Sequence, residues 1–265
     1  MSSREDVAFL VGSSSRLELL RTVVDEPYRP TELAETCDCA RETAQRTLSE
    51  FVDRGWVVKS DSEYEATRAG ELVLDGYDAL ATTVRTADRL GPFFANAGRL
   101  GEELPRSLLD GVTVTSASPD QPHAAIDRFL EVVGEEPVDS FYGISPIVSR
   151  VFNRAAERLI GPETEVELVI DEEVLSASES EYTEALQRAF ELDGMQLYLS
   201  HRRLDSGLAL VDDRAFLGAY DDDGNLVAGV DGDGPEFVSW VSETFERHRA
   251  AAEAVTPSDR PEATF

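Results

Sequence analysis

Lysine is almost absent from this chain: Lys59 is the single lysine among 24 basic residues, whereas acidic residues number 53 and the formal net charge is −29. A surface rich in carboxylates and poor in lysine stays hydrated in multimolar salt, where the Debye length shrinks to about 3 Å and self-repulsion is screened. An ordinary acidic protein would explain the charge but not the missing lysines. The composition therefore indicates a cytoplasm of high salt.

Cysteine and histidine are also scarce. The two cysteines, Cys37 and Cys39, provide no disulfide framework, which suits a reducing cytoplasm. The three histidines are far from them in sequence, so a four-ligand structural zinc site is not expected. The aspartates at 221–223 and 231–233 lack the twelve-residue ligand spacing of a calcium loop. We expect no bound metal and no cofactor.

Long hydrophobic runs are missing as well. No stretch approaches the roughly 18 apolar residues that cross a bilayer, and the opening MSSREDVAFL has no basic flank before a long apolar run. Apolar residues make up 42% of the 265 residues, which excludes global disorder and is enough for one large or two modest cores. These features predict a soluble, cytoplasmic protein without a membrane partner.

The first seventy residues have the periodicity of short helices. Ser15 and Glu18 have the spacing of a capping box, and the apolar residues that follow predict a helix to about Val24, which Pro27 stops. Thr31 is suited to cap a short second helix.

A third helix is predicted from Arg41, with a hairpin after it. Gly55 stands where a left-handed residue is expected to end this helix. Residues 56–59 and 64–67 favour two short strands joined by a polar turn. Three helices and a hairpin in this order form a winged helix-turn-helix, which we predict for residues 1–70.

The outward face of the third helix carries side chains that suit the major groove of DNA. Arginine donates to phosphates and base edges, and glutamine pairs bidentately with adenine. The single lysine lies near the tip of the hairpin, where a wing meets the DNA backbone. The predicted DNA-binding residues are Arg41, Glu42, Thr43, Gln45, Arg46, Ser49 and Lys59.

Two alternatives remain open for this unit. Residues 1–70 contain 9 basic and 14 acidic residues, a net charge of −5, against 15 and 39, a net of −24, in the remainder. The unit is less acidic but not basic, and winged helices also serve as protein-interaction adaptors. Alternatively, Cys37 and Cys39, in the turn before the third helix, could form a thiol or metal sensor.

A longer helical pattern follows. Its apolar stripe includes Leu80 and Val84 and must be buried against the other domain or against a second copy of the chain. Gly91-Pro92 is expected to end this helix near residue 90, before a connector. We therefore predict a linker and dimerisation segment over 71–110; the last helix of the chain is the other candidate for the dimer contact.

Residues 111–255 alternate strands with helices and then show three strands in succession, which predicts a mixed α/β domain. The predicted strands are 112–116, 166–170, 195–199, 208–211, 216–220 and 226–230. The predicted helices are 125–133, 148–159, 182–190 and 235–252. A hairpin turn is predicted at 221–225, and a frayed tail at 256–265.

Several polar residues of this second domain are candidates for contacting a small molecule. Ser145-Pro146 is suited to open a helix, whose free amides could hold an anion or a hydroxyl. His201-Arg202-Arg203 follows a predicted strand, where α/β domains often place ligands, and could bind an anionic metabolite. The same residue types would also occur at these positions if they were only core or turn residues with no binding role. The candidate effector-binding residues are Tyr142, Ser145, His201, Asp213 and Tyr220.

Residues 10–70, down to the hairpin-closing YEATRAG, resemble the archaeal winged-helix transcription regulators. YGISPIV and residues 208–253 resemble the C-terminal effector domain of the methanogenesis-regulator type, also common in haloarchaea. The resemblance implies a dimeric regulator whose α/β domain, distantly similar to the phospholipase D fold, senses a ligand. Asp38 and Ala40 depart from these regulators, which usually have glycine and serine there.

The sequence thus predicts a two-domain protein of mixed α+β and α/β class, with a winged helix-turn-helix, a linker helix and a phospholipase D-like effector domain. We expect a homodimer that binds double-stranded DNA sequence-specifically under the control of a small metabolite. Phospholipase-type catalysis would need a His-x-Lys motif, which the sequence lacks. An enzyme is therefore the least supported interpretation.

Overall fold

The computed structural model describes residues 2–192 and 194–255, and the chain divides into two compact units, Met1–Arg85 and Thr86–Phe265. No helix within these described ranges is both long enough and apolar enough to cross a membrane. The first unit contains α1 (Ser3–Val11), α2 (Ser14–Asp25), α3 (Pro30–Thr36), α4 (Arg41–Asp53), β1 (Val57–Ser60) and β2 (Glu63–Ala66). Helix α5 (Arg68–Asn96) contains the residues at which the two units divide.

The first unit is built around apolar side chains from each of its helices. Leu19, Leu33, Leu48 and Phe51 are fully buried, and Phe9 of α1 packs edge-on against Phe51 with ring centroids 6.0 Å apart. Strands β1 and β2 pair antiparallel. The predicted order of helices followed by a hairpin is confirmed, with α1 as an additional helix that the sequence did not predict.

Two helix starts in this unit differ from the prediction. Helix α2 begins before Ser15, and the capping box lies on α1 instead, where Ser2 and Glu5 exchange bonds between their side chains and backbone N–H groups. Both sites have the same spacing, and only the contacts distinguish them. Helix α3 begins one residue before Thr31, because Pro30 has no N–H to leave unpaired in a first turn.

The second unit combines helices on both faces of one sheet. Its helices are α6 (Gly98–Glu103), α7 (Ala124–Val133), α8 (Arg150–Leu159), α9 (Glu172–Glu181), α10 (Thr183–Glu191) and α11 (Pro235–Ala250), with a 3-10 turn at Arg106–Leu108. Its strands are β3 (Thr113–Ser116), β4 (Ser140–Ser145), β5 (Glu165–Asp171), β6 (Met195–Ser200), β7 (Ser206–Val211), β8 (Arg214–Tyr220), β9 (Leu226–Gly232) and β10 (Glu253–Val255). The six predicted strands and the mixed α/β class are confirmed.

All eight strands belong to one mixed sheet, in the order β10-β6-β5-β4-β7-β8-β9-β3. Strands β4, β5 and β6 are parallel, and the other neighbours are antiparallel. Successive side chains of a strand point to opposite faces. On β7, Leu208 and Leu210 therefore join the core under α11, whereas Ala209 and Val211 join the core under α7 and α8.

The prediction that Gly91-Pro92 ends the linker helix is wrong, because α5 continues to Asn96. A proline inside a helix costs about 3 kcal/mol. Leu90 and Phe93 on either side are fully buried in the core of the second unit, and each such burial is worth about 1.5–3 kcal/mol. Burial outweighs the local penalty, and residues of the predicted connector form α6 as well.

The prediction that Ser145-Pro146 opens a helix is also wrong. Ser145 is the last residue of β4, and α8 begins at Arg150, where the Ser149 hydroxyl accepts a hydrogen bond from the backbone N–H of Phe152. Helix α9 was not predicted, and strands β4 and β10 are not among the six predicted strands, whereas the hairpin turn after Tyr220 is confirmed. The predicted frayed tail lies outside the described residues.

Candidate functional site

Helix α4 separates a buried face from a polar, exposed one. Leu48 and Phe51 are fully buried among the side chains of the first unit. Of the residues predicted on its outer face, Thr43 is half-buried, and five are exposed: Arg41, Glu42, Gln45, Arg46 and Ser49. The structure therefore places the predicted helix residues together on one accessible surface, which we call the α4 face.

The arginines of the first unit differ in whether they have an internal partner. Five of the eight arginines in residues 2–70 bond within the chain: Arg16 to the Phe9 carbonyl, Arg21 to Asp78, Arg29 to Glu63, Arg54 to Asp6 and Glu50, and Arg68 to Glu71. Within the described ranges, Arg4, Arg41 and Arg46 make no hydrogen bond or ion pair. Two of these three lie on the α4 face, so they can donate to an external partner without losing an internal bond.

Lys59 lies on β1 beside the turn of the hairpin. Its side chain is exposed, and its Nζ lies 5.6 Å from the centroid of the Tyr64 ring. The turn contains Asp61 in a left-handed conformation, with φ of 54°. Asp61 and Glu63, close to Lys59 in sequence, are also exposed. The hairpin therefore presents one positive charge next to two negative ones.

The start of α4 has an aspartate in the preceding turn and an alanine at its N-cap position. Asp38, in the preceding turn, has φ of 44°, a left-handed conformation that aspartate adopts more easily than most residues. Ala40 occupies the N-cap position with extended backbone angles, and its methyl group cannot accept a bond from the free amides of the first turn.

We expect Ala40→Ser to stabilise the first unit by about 1 kcal/mol, because a serine hydroxyl at this position accepts a hydrogen bond from the first turn. Urea unfolding at high KCl, followed by circular dichroism, measures this change. Ala8→Ser, at an exposed position inside α1, is the control and should cost a few tenths of a kcal/mol. Equal free energies of unfolding for Ala40→Ser and the natural chain would contradict the prediction.

The two cysteines lie in a setting that disfavours thiol chemistry. Cys37 is 6% exposed, and its Sγ lies 3.4 Å from the Thr22 hydroxyl. Burial raises the pKa of the Cys39 thiol, so less of the reactive thiolate is present at neutral pH. Over residues 2–192 and 194–255, no three His, Cys, Asp or Glu side chains are placed to share a metal ion. The geometry thus gives the sensor alternative no support.

A cavity of about 790 Å³ lies in the second unit, between the sheet and helices α8, α9 and α10. Aliphatic and aromatic side chains such as Phe152 and Leu168 form most of its wall. Ser145, at the end of β4, and Tyr220, at the end of β8, also line it. The Ser145 hydroxyl donates to the Ile147 carbonyl at 2.6 Å.

Glycines on two adjacent strands make room for the Tyr220 side chain. Gly207 of β7 pairs with Gly218 of β8, and a methyl group at Gly207 would lie 2.9 Å from the Tyr220 hydroxyl oxygen. The tyrosine ring therefore lies in space that a side chain at Gly207 would obstruct. Burial raises the pKa of Tyr220 far above its usual value, so its hydroxyl remains a donor.

The other three candidate effector residues lie elsewhere in the second unit. Tyr142 points to the opposite face of the sheet, where its ring centroid lies 5.6 Å from that of Phe245. His201 is exposed and lies near two glutamate side chains. Asp213 is exposed in the turn between β7 and β8. Of the five candidate effector-binding residues, the structure thus brings together only Ser145 and Tyr220 in the cavity.

Sequence reasoning missed Asn153, which also lines the cavity. Its Nδ2 is buried and has no hydrogen-bond partner in the described part of the chain. The signal available in the sequence was a polar residue, Asn153, next to Phe152 on a predicted amphipathic helix. The paired strand glycines were a second signal, because glycine inside a strand often marks a close approach.

Two family models match the chain. The model for the methanogenesis regulatory protein FilR1, middle domain, matches residues 122–251, and the model named HVO_A0261 N-terminal domain matches residues 4–89. The first therefore contains the cavity helices, and the second contains the α4 face. No curated protein matches the chain.

Solved structures show weaker likenesses. The archaeal chromatin protein TrmBL2 is 14% identical, with 96% of this chain and 100% of that chain covered and a TM-score of 0.41. NucT from Helicobacter pylori is 12% identical over 54% of this chain and 98% of its own, with a TM-score of 0.43. TM-scores this low do not establish a shared fold. The two family matches, one at each end of the sequence, agree with the resemblance seen in the residues: the chain belongs to the archaeal transcription regulators related to the methanogenesis regulatory protein FilR1.

Proposed function

We propose that this regulator binds double-stranded DNA as a homodimer through a winged helix-turn-helix, and that a small molecule in the cavity of its second unit controls that binding. The α4 face lies in the major groove, and Lys59 of the hairpin contacts the phosphate backbone. In this role the chain performs no catalytic step.

The DNA-binding role is supported by the difference between arginines of the first unit that have an internal partner and those that do not. Arg41 and Arg46 are exposed on α4 and have no partner among the described residues, whereas most other arginines of the unit are bonded internally. Guanidinium groups recognise phosphates and guanine edges bidentately. An adaptor role remains the alternative, but the free arginines favour DNA, since an anionic duplex gives both of them partners.

The dimer proposal rests on the surface of α5. Leu72, Leu80 and Val84 are 56%, 55% and 52% exposed, and Gly76 lies between them with open space beyond its own helix where its Cβ would be. Exposed leucines and valines at four-residue spacing are typical of a helix that packs against another helix. The last helix is less suitable, because the apolar side chains of α11 already pack on the sheet.

The size and lining of the cavity support control of DNA binding by a small molecule. Its volume of about 790 Å³ lies in the range of known ligand sites, roughly 300–1,000 Å³, and few polar groups interrupt its apolar wall. A ligand there can change DNA affinity only if it binds the DNA-competent and incompetent states with different affinity.

Footprinting of the purified protein on genomic DNA at high KCl tests the DNA-binding role. We expect protected sites made of two related half-sites about 34 Å, or one helical turn, apart, because a twofold dimer presents two α4 faces. Protection of a single half-site would contradict the dimer. Uniform, sequence-independent protection would contradict specific recognition, and the absence of protection would favour the adaptor.

A further inference from the structure

Several hydrogen-bond donors at the cavity wall have no partner in the described part of the chain. Two of them are the Tyr220 hydroxyl and the buried Nδ2 of Asn153. Buried polar groups in folded proteins are nearly always hydrogen-bonded, so an unpaired donor at a cavity wall calls for an external acceptor. Both donors suit an oxygen atom of a bound molecule.

The charged side chains at the wall do not suit an ionic ligand. Among the described residues that line the cavity, the charged ones are Glu157 and Arg188, which pair with each other at 2.8 Å and are about half exposed. A carboxylate or phosphate inside would therefore be desolvated without a free cation to compensate it, which is strongly unfavourable.

The basic cluster at residues 201–203, which the sequence suggested as an anion-binding site, lies outside the cavity. His201 ring nitrogens lie 3.6 Å from Glu172 and 3.4 Å from Glu253. Arg203 faces Glu173 at 4.0 Å. The His201 and Arg203 side chains are exposed and already have acidic neighbours, so an anionic effector gains little from them.

We propose that the cavity binds an uncharged, largely apolar small molecule whose oxygen accepts hydrogen bonds from Tyr220 and Asn153. This inference rests on the proposed function, because it names the chemical class of the effector. Burial raises the pKa of Tyr220 further above neutral pH, so its hydroxyl stays a donor under the conditions of the experiment. The paired glycines, Gly207 and Gly218, leave the space that its ring occupies.

Competition between matched probes tests the chemical class. The full-length protein at high KCl and pH 8 is loaded with the neutral dye Nile red, which fluoresces in apolar sites, and titrated with 1-decanol or decanoate. The two competitors share a ten-carbon chain and differ in charge. We expect 1-decanol to displace the dye at a concentration at least ~100-fold lower than decanoate, because only the carboxylate must be desolvated unpaired.

Three substitutions test whether the probes bind in the cavity. Ala156→Phe places a ring in the cavity and should abolish displaceable dye binding, whereas Ala250→Phe, at an exposed position of α11, should leave it unchanged. Tyr220→Phe retains the ring and should weaken 1-decanol about 3- to 10-fold through loss of one hydrogen bond. Circular dichroism of each variant verifies folding.

The outcomes separate this inference from the DNA-binding role. Equal or tighter binding of decanoate, or dye binding that survives in Ala156→Phe, overturns the inference. An unchanged 1-decanol affinity in Tyr220→Phe overturns the hydrogen bond to that residue. A mobility-shift assay on the same samples reports DNA binding independently, so a protein that binds DNA but prefers decanoate loses only the assigned ligand class.

Discussion

Replacing Arg41 and Arg46 together with alanine is expected to weaken specific DNA binding by about 10²- to 10⁴-fold, because each well-placed base or phosphate contact is worth about 1–3 kcal/mol. Counterion release contributes little at multimolar salt, so direct contacts must supply more of the affinity of this acidic protein. Neither arginine bonds to another described residue, and their removal should leave the fold intact. A mobility-shift assay at high KCl measures the loss.

Arg4→Ala with Arg68→Ala is the matched control, because it also removes two exposed positive charges from the first unit. Arg4 lies on α1, and Arg68 begins α5 in an ion pair with Glu71. We expect this pair to lower affinity less than about threefold, as a general change in net charge would. If both double variants lose affinity equally, the α4 face does not read DNA.

Leu80→Glu on α5 is expected to convert the protein to monomers and to weaken binding to a two-half-site DNA by about 10²- to 10⁴-fold. Leu80 is 55% exposed in the single chain and lies within the apolar stripe that we assign to the dimer. A glutamate there would be buried unpaired against its copy. Losing the dimer removes the advantage of binding two linked half-sites, which accounts for the size of the effect.

Analytical ultracentrifugation distinguishes the chain mass of 29.1 kDa from twice that value. Thr82→Glu is the control, because it introduces the same charge on α5 about 200° around the helix from Leu80. It should remain dimeric and retain its DNA affinity. A natural chain that sediments as a monomer, or a dimeric Leu80→Glu variant, would refute the role of the stripe.

Much of the local structure could be predicted from periodicity. The apolar residues of α4 recur at helical spacing, and the strands from β5 to β9 are rich in valine and leucine, so their positions followed from side-chain pattern alone. The exposure of Arg41 and Arg46 followed from the same pattern, since residues off the apolar face of a surface helix point outward.

The failures have a common physical cause. Pro92 suggested a helix end, yet the burial of Leu90 and Phe93 in a distant core keeps α5 helical beyond it. Ser145-Pro146 suggested a helix start, yet Ser145 belongs to β4, which pairs with two neighbouring strands. In both places, contacts with residues far away in sequence outweighed a local preference. A short stretch of sequence gives no information about such distant contacts.

The sequence by itself determined the charge, the order of helices and strands, the polar face of α4 and the family resemblance, because composition and periodicity are local properties. Only the tertiary structure decided that Asn153 and Tyr220 share a cavity, that Tyr142 and His201 lie outside it, and which arginines have internal partners. These depend on which strands are neighbours and which face each side chain occupies, and both are set by packing across the whole unit.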